Sequence, residues 1–137
     1  MAHELPIRIR YREIDVLGHV HNTNYFVYFE DARVSLFEEL GYGVSIEDWK
    51  FILASTTCDF LAQARFDQEL IIRTEVGRVG DKSFTLLHEI VDKKSGERIA
   101  VGKAIIVYFN FQLQQSESIP SSLKEKLEKY ESTVKEK

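Results

Sequence analysis

The sequence predicts an α+β protein in which a curved antiparallel sheet of about five strands wraps around one long helix. Three observations support this fold class. Apolar side chains recur at helical spacing in one segment that lies between a polar loop and Gly41. Four later segments have strand-like patterns and are joined only by short turns, which excludes parallel β-α-β units. The last of these segments carries a row of small residues, which lets a bulky helix approach the sheet closely.

The elements follow the chain as one short strand, the long helix, four long strands and a short C-terminal helix. The predicted strands are residues 5–10, 51–65, 70–79, 83–91 and 98–111, and the C-terminal helix is residues 121–137. The long helix is expected to be capped by Asn22 or Thr23 and to end at Gly41. Its buried stripe contains Tyr25, Phe29, Ala32, Leu36 and Leu40. The small residues that face this helix are Ala100, Gly102 and Ala104.

Composition narrows the class of protein. The 137 residues, 44% of them hydrophobic, predict one domain spanning 1–137, with residues 119–137 as a polar C-terminal helix or tail. The net charge of −4 argues against general nucleic-acid binding. The single cysteine, Cys58, excludes an internal disulfide and fits a reducing cytoplasm. No signal peptide is visible, and no apolar run approaches the ~20 residues of a membrane span, so we expect a cytoplasmic protein without stable membrane insertion.

The loop before the long helix concentrates the polar side chains that are suited to chemistry. It contains Glu13, Asp15, His19, His21 and Asn22. A helix N-terminus offers unpaired N–H groups and a partial positive charge, which suits an oxyanion that develops beside a carboxylate. An alternative interpretation makes Asp15 and the two histidines metal ligands, but the pattern favours it less.

A specific resemblance rests on the same stretch. The pattern R-Y-x-E-x-D-x-x-G-H-V-x-N-x-x-Y-x-x-Y-F-E-x-A-R over residues 10–33 resembles the signature of 4-hydroxybenzoyl-CoA thioesterase-like acyl-CoA thioesterases. Looser similarity continues to about residue 123. The resemblance implies the hotdog fold and hydrolysis of an acyl-CoA thioester to free acid and CoA, with no cofactor or metal. Coenzyme A or acyl carrier protein remain alternative carriers of the acyl group.

The resemblance also implies roles for individual residues. It makes Asp15 the catalytic nucleophile or general base, makes the Asn22 N–H the oxyanion donor, and gives His19 an orienting role. Candidate substrate-binding residues are Gly18, His21, Tyr25, Thr56 and Thr57.

Two residues of the loop depart from the family pattern. His21 stands where relatives commonly have Asn, so no role is transferred to its side chain. Glu13 stands where many relatives have Asp, and a surface salt bridge is the expected interpretation. Glu30 and Arg33 follow the pattern and predict an intrahelical ion pair.

Other classes of function remain open from the residues alone. They are a non-catalytic acyl-thioester-binding protein and a hotdog dehydratase that uses His19 or His21. Strand 51–65 is long, lacks proline and is expected at a sheet edge, so we expect a homodimer or homotetramer.

Overall fold

The computed structural model describes residues 1–43, 45 and 47–132. Its elements are β1 His3–Arg8, α1 Asn22–Glu39, β2 Phe51–Phe60, β3 Glu69–Val79, β4 Ser83–Asp92, β5 Arg98–Asn110, β6 Gln115–Ser116 and α2 Ser121–Glu128. The antiparallel sheet has the order β1-β3-β4-β5-β2, and the short β6 pairs with β5. The predicted fold class is therefore confirmed, with β6 as an additional strand.

One face of the sheet is buried against α1. Alternate residues of β3, β4 and β5 form this face, as the period-2 pattern predicts. On β3 and β4 they are Leu70, Ile72, Thr74, Val76, Phe84, Leu86, His88 and Ile90, all buried. The helix side of the interface is formed by Tyr25, Phe29, Ala32, Leu36 and Phe37, also all buried. Burial of each large apolar side chain contributes roughly 1.5–3 kcal/mol to the free energy of folding.

Helix α1 packs closely on the sheet at Gly102. The Phe29 ring lies against Gly102 and stacks on the His88 imidazole, with ring centroids 4.9 Å apart and planes 9° apart. A Cβ atom at position 102 would lie 2.8 Å from Phe29 Cζ and 2.7 Å from the Thr57 carbonyl oxygen. The small residue predicted here is therefore required by the packing of an aromatic ring.

The C-terminal end of α1 is covered by α2. Leu123 and Leu127 of α2 are buried, and Lys126 Nζ donates to the Leu40 carbonyl oxygen at 2.9 Å. The predicted helix 121–137 ends at Glu128, and residues 133–137 of that prediction lie outside the described residues. Helix α2 thus covers the C-terminal end of α1, whereas the first residues of α1, Asn22 and Thr23, are exposed.

Strand β2 ends at Phe60, five residues earlier than predicted. The Leu61 and Ala62 N–H groups both donate to the Ile99 carbonyl oxygen, at 2.9 and 3.0 Å, which ends the regular ladder with β5. The following segment then crosses to the polar loop, where the Ala64 carbonyl oxygen accepts from the Val20 N–H at 2.8 Å. Strand β2 itself lies at the sheet edge, as predicted.

Neither helix in the described part of the chain combines the length and the hydropathy that crossing a membrane requires.

Candidate active site

The polar loop forms a tight turn whose two ends are Asp15 and His19. The Asp15 N–H donates to the His19 carbonyl oxygen at 2.8 Å, and the Gly18 N–H donates to the Asp15 carbonyl oxygen at 3.0 Å. Gly18 has φ +78°, a conformation that glycine adopts without steric cost. Gly18 therefore supplies the turn conformation, and its contribution to substrate binding stays a prediction.

The Asp15 carboxylate is oriented by main-chain donors of its own turn. Its Oδ1 accepts from the Leu17 N–H at 2.8 Å and from the His19 N–H at 3.3 Å. Within the described residues no hydrogen bond engages Oδ2, and the side chain is partly exposed. One carboxylate oxygen is thus held by the protein, and the other is available to water or substrate.

Helix α1 starts at Asn22, and its N-cap is His21 instead of the predicted Asn22 or Thr23. The His21 Nδ1 accepts from the Thr23 N–H at 3.3 Å and lies 2.8 Å from the Thr23 hydroxyl. The imidazole therefore does what a capping Asn or Ser side chain does. Asn22 becomes the first helical residue, so its N–H is one of the donors that the helix leaves unpaired.

His19 is anchored through its backbone. It pairs with Arg65 in an isolated antiparallel bridge, which joins the turn to the segment after β2. Its imidazole has no hydrogen-bond partner among the residues described by the structure. Its N–H donates to Asp15 Oδ1 at 3.3 Å, and the orienting role of His19 stays a prediction.

Glu13 is buried, with 5% of its surface exposed, so the expectation of a surface salt bridge is wrong. Its carboxylate accepts from the Tyr28 hydroxyl at 2.8 Å and forms an ion pair with the Arg10 guanidinium at 2.8 Å. Burial opposes ionisation, but the hydrogen bonds from Arg10 and Tyr28 outweigh it and hold the pKa of Glu13 below its ordinary value. Sequence reasoning missed Tyr28, although it lies one helical turn from Tyr25 on the buried face.

Tyr25 is 3% exposed and packs inside the protein. Its hydroxyl accepts from the Ala64 N–H at 3.2 Å, and its ring lies edge-on to Phe60 at 5.2 Å. Burial raises the pKa of the Tyr25 phenol. Through this hydrogen bond Tyr25 connects the segment after β2 to the start of α1. The contribution of Tyr25 to substrate binding stays a prediction.

Thr56 and Thr57 lie on opposite faces of β2, because side chains alternate along a strand. Thr57 is exposed, whereas the Thr56 hydroxyl is buried and has no hydrogen-bond partner among the described residues. No hydrogen bond in the described part of the chain joins either threonine to Asp15. Their proposed contact with substrate stays a prediction.

The predicted intrahelical pair between Glu30 and Arg33 does not form within 4 Å in the structure, so that expectation is wrong. Arg33 is 6% exposed, burial lowers its pKa, and its Nη1 has no partner among the described residues. Glu30 is exposed and acts on Arg33 only over a longer distance. The helix turns Arg33 toward the sheet and Glu30 toward solvent.

No group of three histidine, cysteine, aspartate or glutamate side chains lies close enough to hold a metal ion, as far as the described residues extend.

Comparison with known proteins identifies the family. Residues 9–127 match the model of the thioesterase-like superfamily, and the chain belongs to this superfamily. The predictions of the family, of the hotdog fold and of a thioester hydrolase are thereby confirmed.

Three proteins illustrate the similarity. The acyl-CoA thioester hydrolase YbgC of Escherichia coli O6:H1 is 26% identical over 93 residues, which cover 66% of this chain and 69% of that protein. A predicted thioesterase from Bacillus stearothermophilus superimposes with a TM-score of 0.88 and 28% identity, covering 98% of this chain and 99% of that chain. A gentisyl-coenzyme A thioesterase superimposes with a TM-score of 0.78 and 31% identity, covering 88% and 98%.

Proposed function

We propose that the protein hydrolyses a fatty or aromatic acyl-CoA to the free acid and CoA, with residues 1–137 acting as one domain. Asp15 is the nucleophile or general base, and the Asn22 N–H is the oxyanion donor. The observation that carries this proposal is the Asp15 carboxylate, which its own turn holds by one oxygen and leaves open at the other. The acyl-CoA substrates of the similar enzymes support the choice of thioester.

Two chemical routes to thioester hydrolysis use the Asp15 carboxylate and the Asn22 N–H. As a general base, the Asp15 carboxylate takes a proton from water, whose oxygen attacks the thioester carbon, and the C–S bond then breaks to release the CoA thiolate. As a nucleophile, Asp15 attacks that carbon itself, the CoA thiolate leaves, and water then cleaves the acyl-aspartyl anhydride. In both routes negative charge develops on the carbonyl oxygen, where the N–H group and the positive end of the helix stabilise it.

The remaining candidates have supporting roles in this proposal. His19 orients Asp15 through its N–H, and Gly18 gives the turn its shape. His21, Tyr25, Thr56 and Thr57 are the proposed contacts to the substrate. An acyl carrier protein is the alternative carrier of the acyl group, and the active unit is a homodimer or homotetramer.

We place the reaction in the cytoplasm. Cys58 is the only cysteine of the chain and is a free thiol, as a reducing compartment favours. Burial raises its pKa to about 11, which keeps it in the unreactive protonated form.

The deciding experiment measures thiol release from a panel of fatty and aromatic acyl-CoA substrates by wild type and Asp15→Asn. The variant keeps the side-chain shape but loses the carboxylate charge, so we expect kcat to fall ~10²-fold or more. Asp92→Asn is the matched control, because Asp92 also accepts hydrogen bonds within a turn, from the Lys94 N–H and the Ser95 hydroxyl. It should retain the wild-type kcat.

The same panel distinguishes the other classes of function. A binding protein would retain acyl-CoA without releasing thiol, and a dehydratase would change the acyl group while the thioester stays intact. A folded Asp15→Asn variant with the wild-type kcat would contradict the role of Asp15.

A further inference from the structure

We infer that Glu13 is a positioning residue that holds the Asp15 turn and the start of α1 in one fixed arrangement. The inference rests on the proposed function, because it concerns the alignment of the Asp15 carboxylate with the Asn22 N–H.

The side chain of Glu13 connects the turn to the second turn of α1. Its Oε1 accepts from the Arg10 N–H at 2.9 Å and from the Tyr28 hydroxyl at 2.8 Å. Its Oε2 accepts from Arg10 Nε at 3.0 Å and Arg10 Nη2 at 2.8 Å. Both oxygens are fully used, and hydrogen bonds of this charge-assisted kind are roughly twice as strong as neutral ones.

The backbone of Glu13 connects the same turn to the first residues of the helix. Its carbonyl oxygen accepts from the His21 N–H at 2.9 Å and from Asn24 Nδ2 at 3.0 Å. These partners lie on either side of Asn22. Glu13 therefore bonds to Arg10 after β1, to His21 at the start of α1 and to Tyr28 in the second turn of α1.

Glu13 lies between the two groups of the proposed mechanism, the Asp15 carboxylate and the Asn22 N–H. Asp15 is two residues further along the chain. On the other side, the residue before Asn22 is His21, whose N–H donates to the Glu13 carbonyl oxygen. The reacting atoms of the proposed mechanism come from two segments, the Asp15 turn and the start of α1, and Glu13 is bonded to both. A misplacement of about 1 Å between such groups lowers a rate by up to ~10²-fold.

Glu13→Gln is the informative substitution. Its amide oxygen still accepts from the Arg10 N–H or the Tyr28 hydroxyl, but its NH₂ group faces the Arg10 guanidinium, donor against donor. Arg10 is largely exposed, so the change leaves no buried cation behind. Glu39→Gln is the matched control, because Glu39 also accepts from a tyrosine hydroxyl, that of Tyr130 at 3.0 Å, at the opposite end of α1.

The first measurement is kcat per binding site, with site concentration and Kd determined by titration with a non-hydrolysable acyl-CoA thioether. We expect Glu13→Gln to lower kcat about 10- to 100-fold with site number and Kd within about twofold of wild type. A purely structural role would lower the number of sites and leave kcat per site unchanged. Glu39→Gln should retain kcat. Equal kcat per site in both variants would overturn the inference.

The second measurement does not depend on activity. We expect amide hydrogen exchange in residues 15–22 to be at least ~10-fold faster in Glu13→Gln than in Glu39→Gln. Unchanged exchange would overturn the inference. If wild type released no thiol, the proposed function would fail, and exchange alone would decide the role of Glu13. If Glu13→Gln does not fold, Tyr28→Phe removes one donor and is judged by the same two measurements.

Discussion

The carboxylate of Asp15 is oriented by main-chain donors that lie within four residues of it. Leu17 and His19 supply the N–H groups, and Gly18 permits the turn that brings them there. Short-range bonds of this kind form wherever the local sequence allows the turn. The orientation of the proposed catalytic group is thus largely a property of five consecutive residues.

The buried imidazole of His88 predicts a pH dependence of stability. Burial, followed by the nearby Arg33 charge, lowers its pKa to about 3, against 6.5 for an ordinary histidine. Between these values the unfolded chain binds a proton that the folded protein excludes, so stability is lost as the pH falls below 6.5. Each pH unit in this window costs up to about 1.4 kcal/mol.

The measurement is the free energy of unfolding in urea at pH 7 and pH 5. Between these values wild type should lose up to roughly 2 kcal/mol more than His88→Gln, whose amide does not titrate. His19→Gln removes a partly exposed imidazole and serves as the control. Equal losses in wild type and His88→Gln would contradict the burial of an uncharged His88.

At the scale of elements, one row of inner-face residues allows α1 to pack closely on the sheet. Thr74, His88, Gly102 and Cys58 are consecutive partners in the register of β3, β4, β5 and β2. The Thr74 hydroxyl lies 2.8 Å from His88 Nδ1, and the Phe29 ring stacks on His88 and lies against Gly102. Because Gly102 has no side chain, the Phe29 ring reaches the sheet backbone.

Gly102→Ala should therefore destabilise the protein by ~1–3 kcal/mol, since the added methyl group overlaps Phe29 and the Thr57 carbonyl. An alanine in an unobstructed strand would instead be favoured by roughly 0.5–1 kcal/mol over glycine. Gly43→Ala is the control, because its Cβ would lie an ordinary 3.7 Å from Asp48 Oδ2. Thermal and urea unfolding give the comparison, and equal stability of the two variants would refute the close packing of α1 at Gly102.

At the scale of the whole molecule, the two edge strands of the sheet, β1 and β2, differ in length and composition. Strand β1 is six residues long and carries Pro6 with charged Glu4 and Arg8, features that discourage pairing with another strand. Strand β2 is ten residues long, has no proline and exposes Ile52 and Leu53. An edge of this kind is normally covered by another strand or subunit.

We expect the protein to sediment as a dimer or tetramer at micromolar concentration. Leu53→Lys places a charge on the edge strand, where 43% of the leucine is exposed, and should shift the equilibrium toward monomer. Leu113→Lys makes the same change on a 63% exposed leucine outside β2 and should leave the assembly intact. A monomeric wild type, or equal effects of both variants, would exclude β2 as the interface.

The helix, the four long strands and the inner face of the sheet were predictable because each depends on a local period. The stripe on α1 repeats about every 3.6 residues, and residues such as Leu70 and Ile72 repeat every two. The polar loop before α1 was predictable from its composition, since charged and polar side chains are concentrated there. The resemblance of this loop to a family motif could therefore suggest a candidate site before any tertiary contact was known.

Contacts between distant segments decided where β2 ends and whether Glu13 is buried, which the sequence did not predict. Strand β2 ends at Phe60 because the Ile99 carbonyl draws Leu61 and Ala62 out of register, and Glu13 is buried because Tyr28 lies above it in the folded chain. Neither partner is visible in the local pattern of the segment it controls. The sequence by itself determined the order and type of the main elements and the place of the polar loop before α1, since these follow from short-range patterns. Only the tertiary structure decided how firmly the loop is held to the helix, since that depends on a buried carboxylate with all its hydrogen bonds made.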